Sequence, residues 1–448
     1  MTKTGTALTP ETLFARETLW QSWLDVEAAL AEVQADMGTI PQWAARDIRA
    51  AAKLETIGAA ALEADIRKTL APVMSLTRLL GKAAGKAGDY VHWGATTQNV
   101  MQTGRILLIR EADRAIRGEI ARAMRRLASL AEDHAGTVMA GRTNRQHALP
   151  ITFGFKVAGW IEEMGRAVER LDDGGKRLFS LPFGGAVGAM HAFGPDGREL
   201  NRRLAAKLDL RELLVPGRTI NDIFADYIVQ HCLMAMTVER IMAEAYLLMT
   251  EEIGELSETL DAGTVGSSTM PHKVNPKFVV RVLAEAAELR GLAASAMETG
   301  RSSHEGDAAT NQLLSSVLDR AVPLSWRMTR GFADTLHRIR VDPDAMMRNA
   351  ELSGGVIATE NLMMRLAPKT GRASAHDLVH HVLAEASAGG ATRAEELLKN
   401  DTISKYLPAE EIRAALMPAA YCGDSRDIAL KAAVMARDLA GKLDGETN

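Results

Sequence analysis

From Asn221 to Leu260, apolar side chains fall on nearly every face of a would-be helix (NDIFADYIVQHCLMAMTVERIMAEAYLLMTEEIGELSETL). A helix that is apolar all round cannot face water, so it must run through the middle of a bundle. The same chain offers partners for it. In 105–134, Ile109, Ala112, Ile116, Ile120, Met124, Leu127 and Ala131 keep helical spacing. At ~1.5 Å per residue that segment is a rod on the order of 45 Å long. Comparable patterns recur at 152–176, 277–299 and 308–338. Five such segments with short connections predict an elongated helical bundle. Neither a βαβ alternation nor an internal repeat interrupts the pattern.

Shorter helices flank the rods. Leu19, Trp23, Val26, Leu30, Val33 and Met37 mark an amphipathic helix over 18–37, which Gly38 and Pro41 end. An Ala-rich helical group follows at 45–85, and Pro343 breaks the pattern again before shorter C-terminal helices. The chain reads as all-α, in three helical domains: 1–104, 105–345 with the long helices, and 346–448. A formal charge of -4 leaves no basic footprint, so a nucleic-acid partner is not expected. Cys232 and Cys422 are too few for a disulfide framework and fit a reducing cytoplasm. No apolar run reaches the ~18 residues of a membrane span, and MTKTGTALTPETLF lacks a signal-peptide layout. A soluble, cytoplasmic protein is expected. No metal-ligand spacing occurs and no phosphate-binding glycine loop follows a strand, so neither metal nor cofactor is expected. Gly184–Gly188 reads as a bend permitting close helix packing.

Three stretches between the rods are unlike ordinary connectors. The sharpest is Gly263-Thr-Val-Gly-Ser-Ser-Thr-Met-Pro-His-Lys-Val-Asn-Pro276. Ser267 and Ser268 offer hydroxyls, and Lys273 and Asn275, two positions apart, suit a carboxylate. This loop resembles the signature of the fumarase/aspartase superfamily, Gly-Ser-Ser-x-Met-Pro-x-Lys-x-Asn-Pro, at every fixed position. Asp89-Tyr-Val-His-Trp-Gly-Ala-Thr-Thr-Gln-Asn-Val-Met-Gln-Thr103 resembles the family's first region, and Gly141-Arg-Thr-Asn-Arg-Gln-His-Ala148 its second. The C-terminal part is similar to the adenylosuccinate lyase and 3-carboxy-cis,cis-muconate cycloisomerase branches. The resemblance implies a homotetramer around a core of long helices, with each active site gathering the three regions from three subunits.

It also implies the chemistry, a reversible elimination through an aci-carboxylate. Preorganised donors around that carboxylate are worth roughly 2.7–4 kcal/mol each. Thr96, Thr97 and Gln98, with Lys273 and Asn275, are the candidate cradle, and Asn144 and Gln146 the candidate contacts from the second region. By resemblance the base is Ser267, and Ser268 is placed second. A cationic neighbour and backbone N–H groups would lower the pKa of Ser267. His92 is a candidate acid or carboxylate donor. His147 reads as a helix-start residue or one standing behind the contacts.

The departures from the family pattern separate the branches. Where ammonia- and nucleotide-releasing members pair a His with a Glu, this chain has Asn144 and Val280. An amine leaving group needs a proton, whereas a carboxylate, with a pKa of about 4, needs little help. That favours a cycloisomerase-like reading on a dicarboxylate or tricarboxylate. An adenylosuccinate lyase-like C–N lyase with His92 as acid, and a catalytically silent tetramer, are the alternatives. Further departures are Asn99 and Gln102 for acids, Asn221 for Arg, and Gly306 for Arg in His304-Glu305-Gly306-Asp307. Loss of two cations points to a smaller or less charged substrate.

Overall fold

A computed structural model describes residues 8–385 and 392–447. The chain enters through α1 (Arg16–Asp36), α2 (Gln42–Ala51), α3 (Leu54–Ile57), α4 (Ala59–Thr69) and α5 (Pro72–Ala83). The bundle follows: α6 (Thr97–Asp133), α7 (Phe153–Leu178), the short α8 (Gly197–Lys207), α9 (Asp222–Leu248), α10 (Phe278–Gly291) with its continuation α11 (Ala293–Glu298), and α12 (Ala308–Arg338). The expected all-α architecture is present, with two small two-stranded additions. Strands β1 (Val138–Thr143) and β2 (Gln146–Thr152) form an antiparallel hairpin between α6 and α7. A second small ladder pairs β3 (Leu256–Glu258) with β4 (Ile339–Val341).

The stripe read from the sequence is the core of α6. Ile109, Ala112, Ile116, Ile120, Met124, Leu127 and Ala131 are all 0% exposed, and fully burying one large aliphatic side chain contributes ~1.5–3 kcal/mol. Helix α6 begins at Thr97, earlier than the pattern suggested, so the first motif region is the start of the longest helix. Helix α9 stops at Leu248 instead of running to 260. Gly254 turns the chain at φ 61 and the pattern passes into β3. Buried polar ties link the rods: Tyr227 Oη donates to Asp113 at 2.8 Å, and His231 Nδ1 lies 2.6 Å from Ser325 Oγ. Burial holds His231 neutral, its pKa lowered to about 4.

Beyond α13 (Pro343–Glu351), α14 (Thr359–Thr370), α15 (Arg372–Glu385), α16 (Arg393–Lys399), α17 (Asp401–Ser404) and α18 (Ala409–Leu416) gather a core of their own around Leu362, Leu366, Leu397, Ile403 and Ile412. Helix α19 (Ser425–Thr447) does not join it. Its small residues Ala432, Ala433, Ala436 and Ala440 let it lie against α6 and α7 in the main core. Among the described residues no helix is long and apolar enough to cross a membrane.

The rods alternate in direction, which gives the bundle two ends. Gln102 near the start of α6 meets Asn221 at the start of α9, and Asn221 meets Asn311 in the first turn of α12. That is the near end. At the far end Arg142 of β1 meets Glu255 after α9, and Arg338, the last residue of α12, meets Asp261.

Candidate active site

The near end is organised by the first turns of α6. Thr96 is the residue before the helix, and its side chain does not cap it. Its Oγ1 donates instead to Asn99 Oδ1 at 3.1 Å. The first N–H groups of a 37-residue helix are therefore left to an outside acceptor, an arrangement that favours an anion. Thr97 is exposed and Gln98 half-buried beside them. His92 sits in the left-handed region at φ 61, with Nδ1 2.5 Å from Glu27 Oε1. Burial pulls the His92 pKa down, but the hydrogen bond and charge of Glu27 outweigh it and hold the imidazole above its ordinary value.

The departures from the family pattern meet at this end. Asn99 donates to Pro182 O at 3.1 Å and accepts from Gly185 N at 3.0 Å. An ionised aspartate has no proton for Pro182, so the amide is the residue that satisfies both partners. Gln102 Nε2 donates to Arg218 O and to Asn221 Oδ1, both at 3.1 Å. Asn221 Nδ2 reaches Ser302 Oγ at 3.1 Å and Asn311 Oδ1 at 3.3 Å. The glycine turn serves this cluster and not a helix contact, which corrects the expectation for 184–188. A Cβ at Gly184 would lie 2.6 Å from Pro216 O, and one at Gly188 2.9 Å from Gly217 Cα.

The far end carries the other two regions. The second region is a hairpin and not a loop. Asn144 and Arg145 form its tip with φ 49 and φ 64, and Thr143 pairs with Gln146. Asn144 and Gln146 are exposed. His147 is a strand residue opposite Arg142, not a helix start, and burial and then Arg142 push its pKa down. Arg142 reaches the fully buried Glu255 carboxylate at 2.5 and 3.1 Å, and Asn349 donates to the same group at 2.8 Å. Between the hairpin, α7, α9 and α19 lies a groove of about 1100 Å³ that includes Arg145, His147, Lys156 and Glu244.

The signature loop closes on itself. Asn275 Nδ2 donates to Gly266 O at 3.1 Å, and a Cβ at Gly266 would lie 2.7 Å from Lys273 O. Only glycine admits that approach. Asn275 thus shapes the loop, leaving the Lys273 ammonium exposed and in no ion pair among the described residues. Ser267 is half-buried and Ser268 exposed. Ser267 Oγ accepts from Met270 N at 3.2 Å, a contact that favours its deprotonated form. The loop's base is clamped: Glu258 accepts from Lys277, Phe278 and Val279 N at 2.6–3.0 Å, and Arg338 covers the Phe278 ring at 4.0 Å while pairing with Asp261 at 2.9 Å.

Within one chain, the candidates do not form one site. Ser267, Lys273 and Asn275 share a loop, and Thr96, Thr97, Gln98 and His92 share the α6 start. No hydrogen bond joins any two of the three regions among the described residues. The near-end group lies about 55 Å from the hairpin along α6, at ~1.5 Å per residue. Sequence reading missed Arg142, Glu255 and Glu258 as anchors and Arg218 as a neighbour of Gly306. Pairings between distant segments leave no local signal. Among the described residues no cluster of three or more His, Cys, Asp or Glu side chains is placed to hold a metal ion.

Comparison with known proteins places the chain. A family described as "Lyase" matches residues 9–291, and one described as "Adenylosuccinate lyase C-terminus" matches 355–432. The adenylosuccinate lyase of Methanothermobacter thermautotrophicus is 34% identical over 93% of this chain and 94% of its own. The N-acetyl-S-(2-succino)cysteine lyase of Enterococcus italicus is 32% identical over 91% of this chain and 90% of its own. Among solved structures, the 3-carboxy-cis,cis-muconate lactonizing enzyme of Pseudomonas putida superposes with TM-score 0.89 at 31% identity, covering 96% of this chain and 97% of that one.

Proposed function

The chain belongs to the fumarase/aspartase superfamily of enzymes, and from that premise we propose that it eliminates, beside a carboxylate, a leaving group that departs without a proton from an enzyme acid. The observation that carries this reading is the joint absence of the acid pair. Asn144 is a neutral, exposed residue at the hairpin tip, and the matching position on α10 is Val280.

Ser267 is the base. The Met270 N–H at its oxygen and the unpaired Lys273 lower the cost of its negative form. The proton it takes comes from the carbon beside the substrate carboxylate, and the electron pair moves onto that carboxylate. Lys273 and the open first turn of α6, with Thr96, Thr97 and Gln98, receive the charge. Asn144 and Gln146 contact the substrate from the hairpin. The substrate is a small dicarboxylate or tricarboxylate, and the leaving group is a carboxylate, as in a 3-carboxy-cis,cis-muconate cycloisomerase-like reaction.

A thiolate is the second reading. The similarity to the succinocysteine lyase favours it, and a thiol pKa of about 8.5 also lets it leave unaided at neutral pH. An adenylosuccinate lyase-like amine release would need an acid, for which His92 on Glu27 is the candidate.

The site is shared between copies of the chain. The length of α6 keeps the α6 start away from the hairpin of the same chain. Met236, Tyr246 and Leu247 of α9, with Met297 and Leu313 beyond it, stay 37–59% exposed on the rods of a single chain. A homotetramer, near four times 48.4 kDa in light scattering, covers them. The reaction is tested by following double-bond absorbance with a carboxymuconolactone, a succinyl thioether and a succinyl amine. Turnover of the lactone or the thioether supports the proposal. Turnover of the amine alone refutes it.

A further inference from the structure

The two missing arginines leave a question of charge. A substrate with two carboxylates is best complemented by a cation at each, and on the proposed reaction Lys273 faces one. At the other the chain lacks Arg at 221 and at 306. Yet the space at 306 is not empty. A Cβ built on Gly306 would lie 3.3 Å from Arg218 Cζ, 3.4 Å from Nε and 3.5 Å from Nη2. The Arg218 guanidinium, arriving from a different segment, packs where a side chain at 306 would begin.

Arg218 is held there and left unneutralised. Its carbonyl accepts from Gln102, and its chain neighbours Pro216 and Gly217 press on the Gly184–Gly188 turn. Among the described residues its Nη1 donates only to Ala186 O, at 3.3 Å, and its Nε is buried without a hydrogen-bond partner. Among the described residues it forms no ion pair. The nearby Asp307 is occupied otherwise, accepting from the backbone N–H groups of Ser303, Ala309 and Thr310 at the start of α12. A half-buried guanidinium with an orphaned donor and no counter-ion calls for an anion to complete it.

We propose that Arg218 is the specificity-determining cation of the near end, binding the substrate carboxylate remote from the one that Lys273 and the α6 start receive. This rests on the elimination reading for its setting. The departures at 99, 102, 221 and 306 are then one rebuilt subsite. Amides replace two acids and one arginine, and Gly306 clears the space for the guanidinium.

Binding of succinate and of its monoamide, succinamate, measured by calorimetry on the whole protein, tests this without any turnover. The wild-type protein should bind succinate ~10- to 100-fold more tightly than succinamate, the range expected for a charge-assisted contact. Arg218→Gln should bring succinate down to the succinamate level and leave succinamate unchanged. Arg218→Lys should keep part of the preference. Gly306→Ala, whose methyl crowds the guanidinium at 3.3–3.5 Å, should weaken succinate several-fold, and Arg218→Gln with Gly306→Arg should recover it. An undiminished preference in Arg218→Gln, or none in the wild type, overturns the assignment. If Arg218→Gln does not fold, Gly306→Ala decides. Failure of the absorbance panel, with these binding results intact, would sink the proposed reaction and leave Arg218 as an anion site.

Discussion

The near end of the bundle and the signature loop at its far end are built to opposite rules. At the near end the polar groups are buried and cross-tied. Asn99, Gln102 and Asn221 are 0%, 2% and 0% exposed, and their bonds run to segments far apart in sequence. At the far end the signature loop is fixed at its base by Glu258 and Arg338, and above that, among the described residues, it bonds only to itself. A buried network tied to several distant segments favours one shape. A loop held at its base has few contacts to lose when it closes over a ligand. On the proposed function, the near end selects the substrate and the far end delivers the base.

The largest expected effect breaks the far end alone. Ser267→Ala should lower turnover by ~10²–10⁴ with little change in substrate binding, and Ser268→Ala should cost far less. A near-normal rate in Ser267→Ala ends the mechanism. Next comes a paired stability measurement in urea. Asn99→Ala strands Pro182 O and Gly185 N in a buried place and should cost about 2 kcal/mol. Asn275→Ala, in a loop tied only to itself, should cost under ~1 kcal/mol while still slowing turnover. Equal costs would mean that the ends do not differ as described.

A smaller effect sharpens the near end. The His92 pKa is raised in the folded protein, so the stability from its Glu27 contact is fully present below the unfolded value of about 6.5 and is lost as pH rises through the folded value. Glu27→Gln should flatten that part of the pH–stability profile. An unchanged slope would show that the pair does not titrate. The smallest expected effect is none. Asn144→His should not raise turnover of the lactone or the thioether, because no proton delivery limits them. A clear gain would mark a C–N lyase.

How much of this was legible in the sequence follows from what each feature depends on. The rods and their buried stripes depend on 3.6-residue spacing, which any reader of 105–134 can count. The motif loops depend on residue types at fixed offsets, so Ser267, Lys273 and Thr97 stood out. The hairpin did not, because Gly141 and Pro150 interrupt the alternation that marks a strand, and its register shifts between Ala140 and Arg142. The end of α9 was hidden because apolar residues continue through Ile253 and Leu256 past the turn at Gly254. Asn275 looked like a carboxylate ligand, and its bond to Gly266 O is visible only once the loop is folded. Arg218 left no trace at all. Its importance depends on a chain segment meeting Gly306 in space, and no periodicity records that.

The 37-residue run of α6 also has a genetic reading. If, as proposed, copies of the chain share each site, so that one supplies the selecting end and another the base-bearing end, two dead alleles need not stay dead together. A chain crippled at Ser267 and a chain crippled near Asn99, co-expressed, would assemble some sites from the sound end of each, so a heterozygote would regain activity that neither parent has.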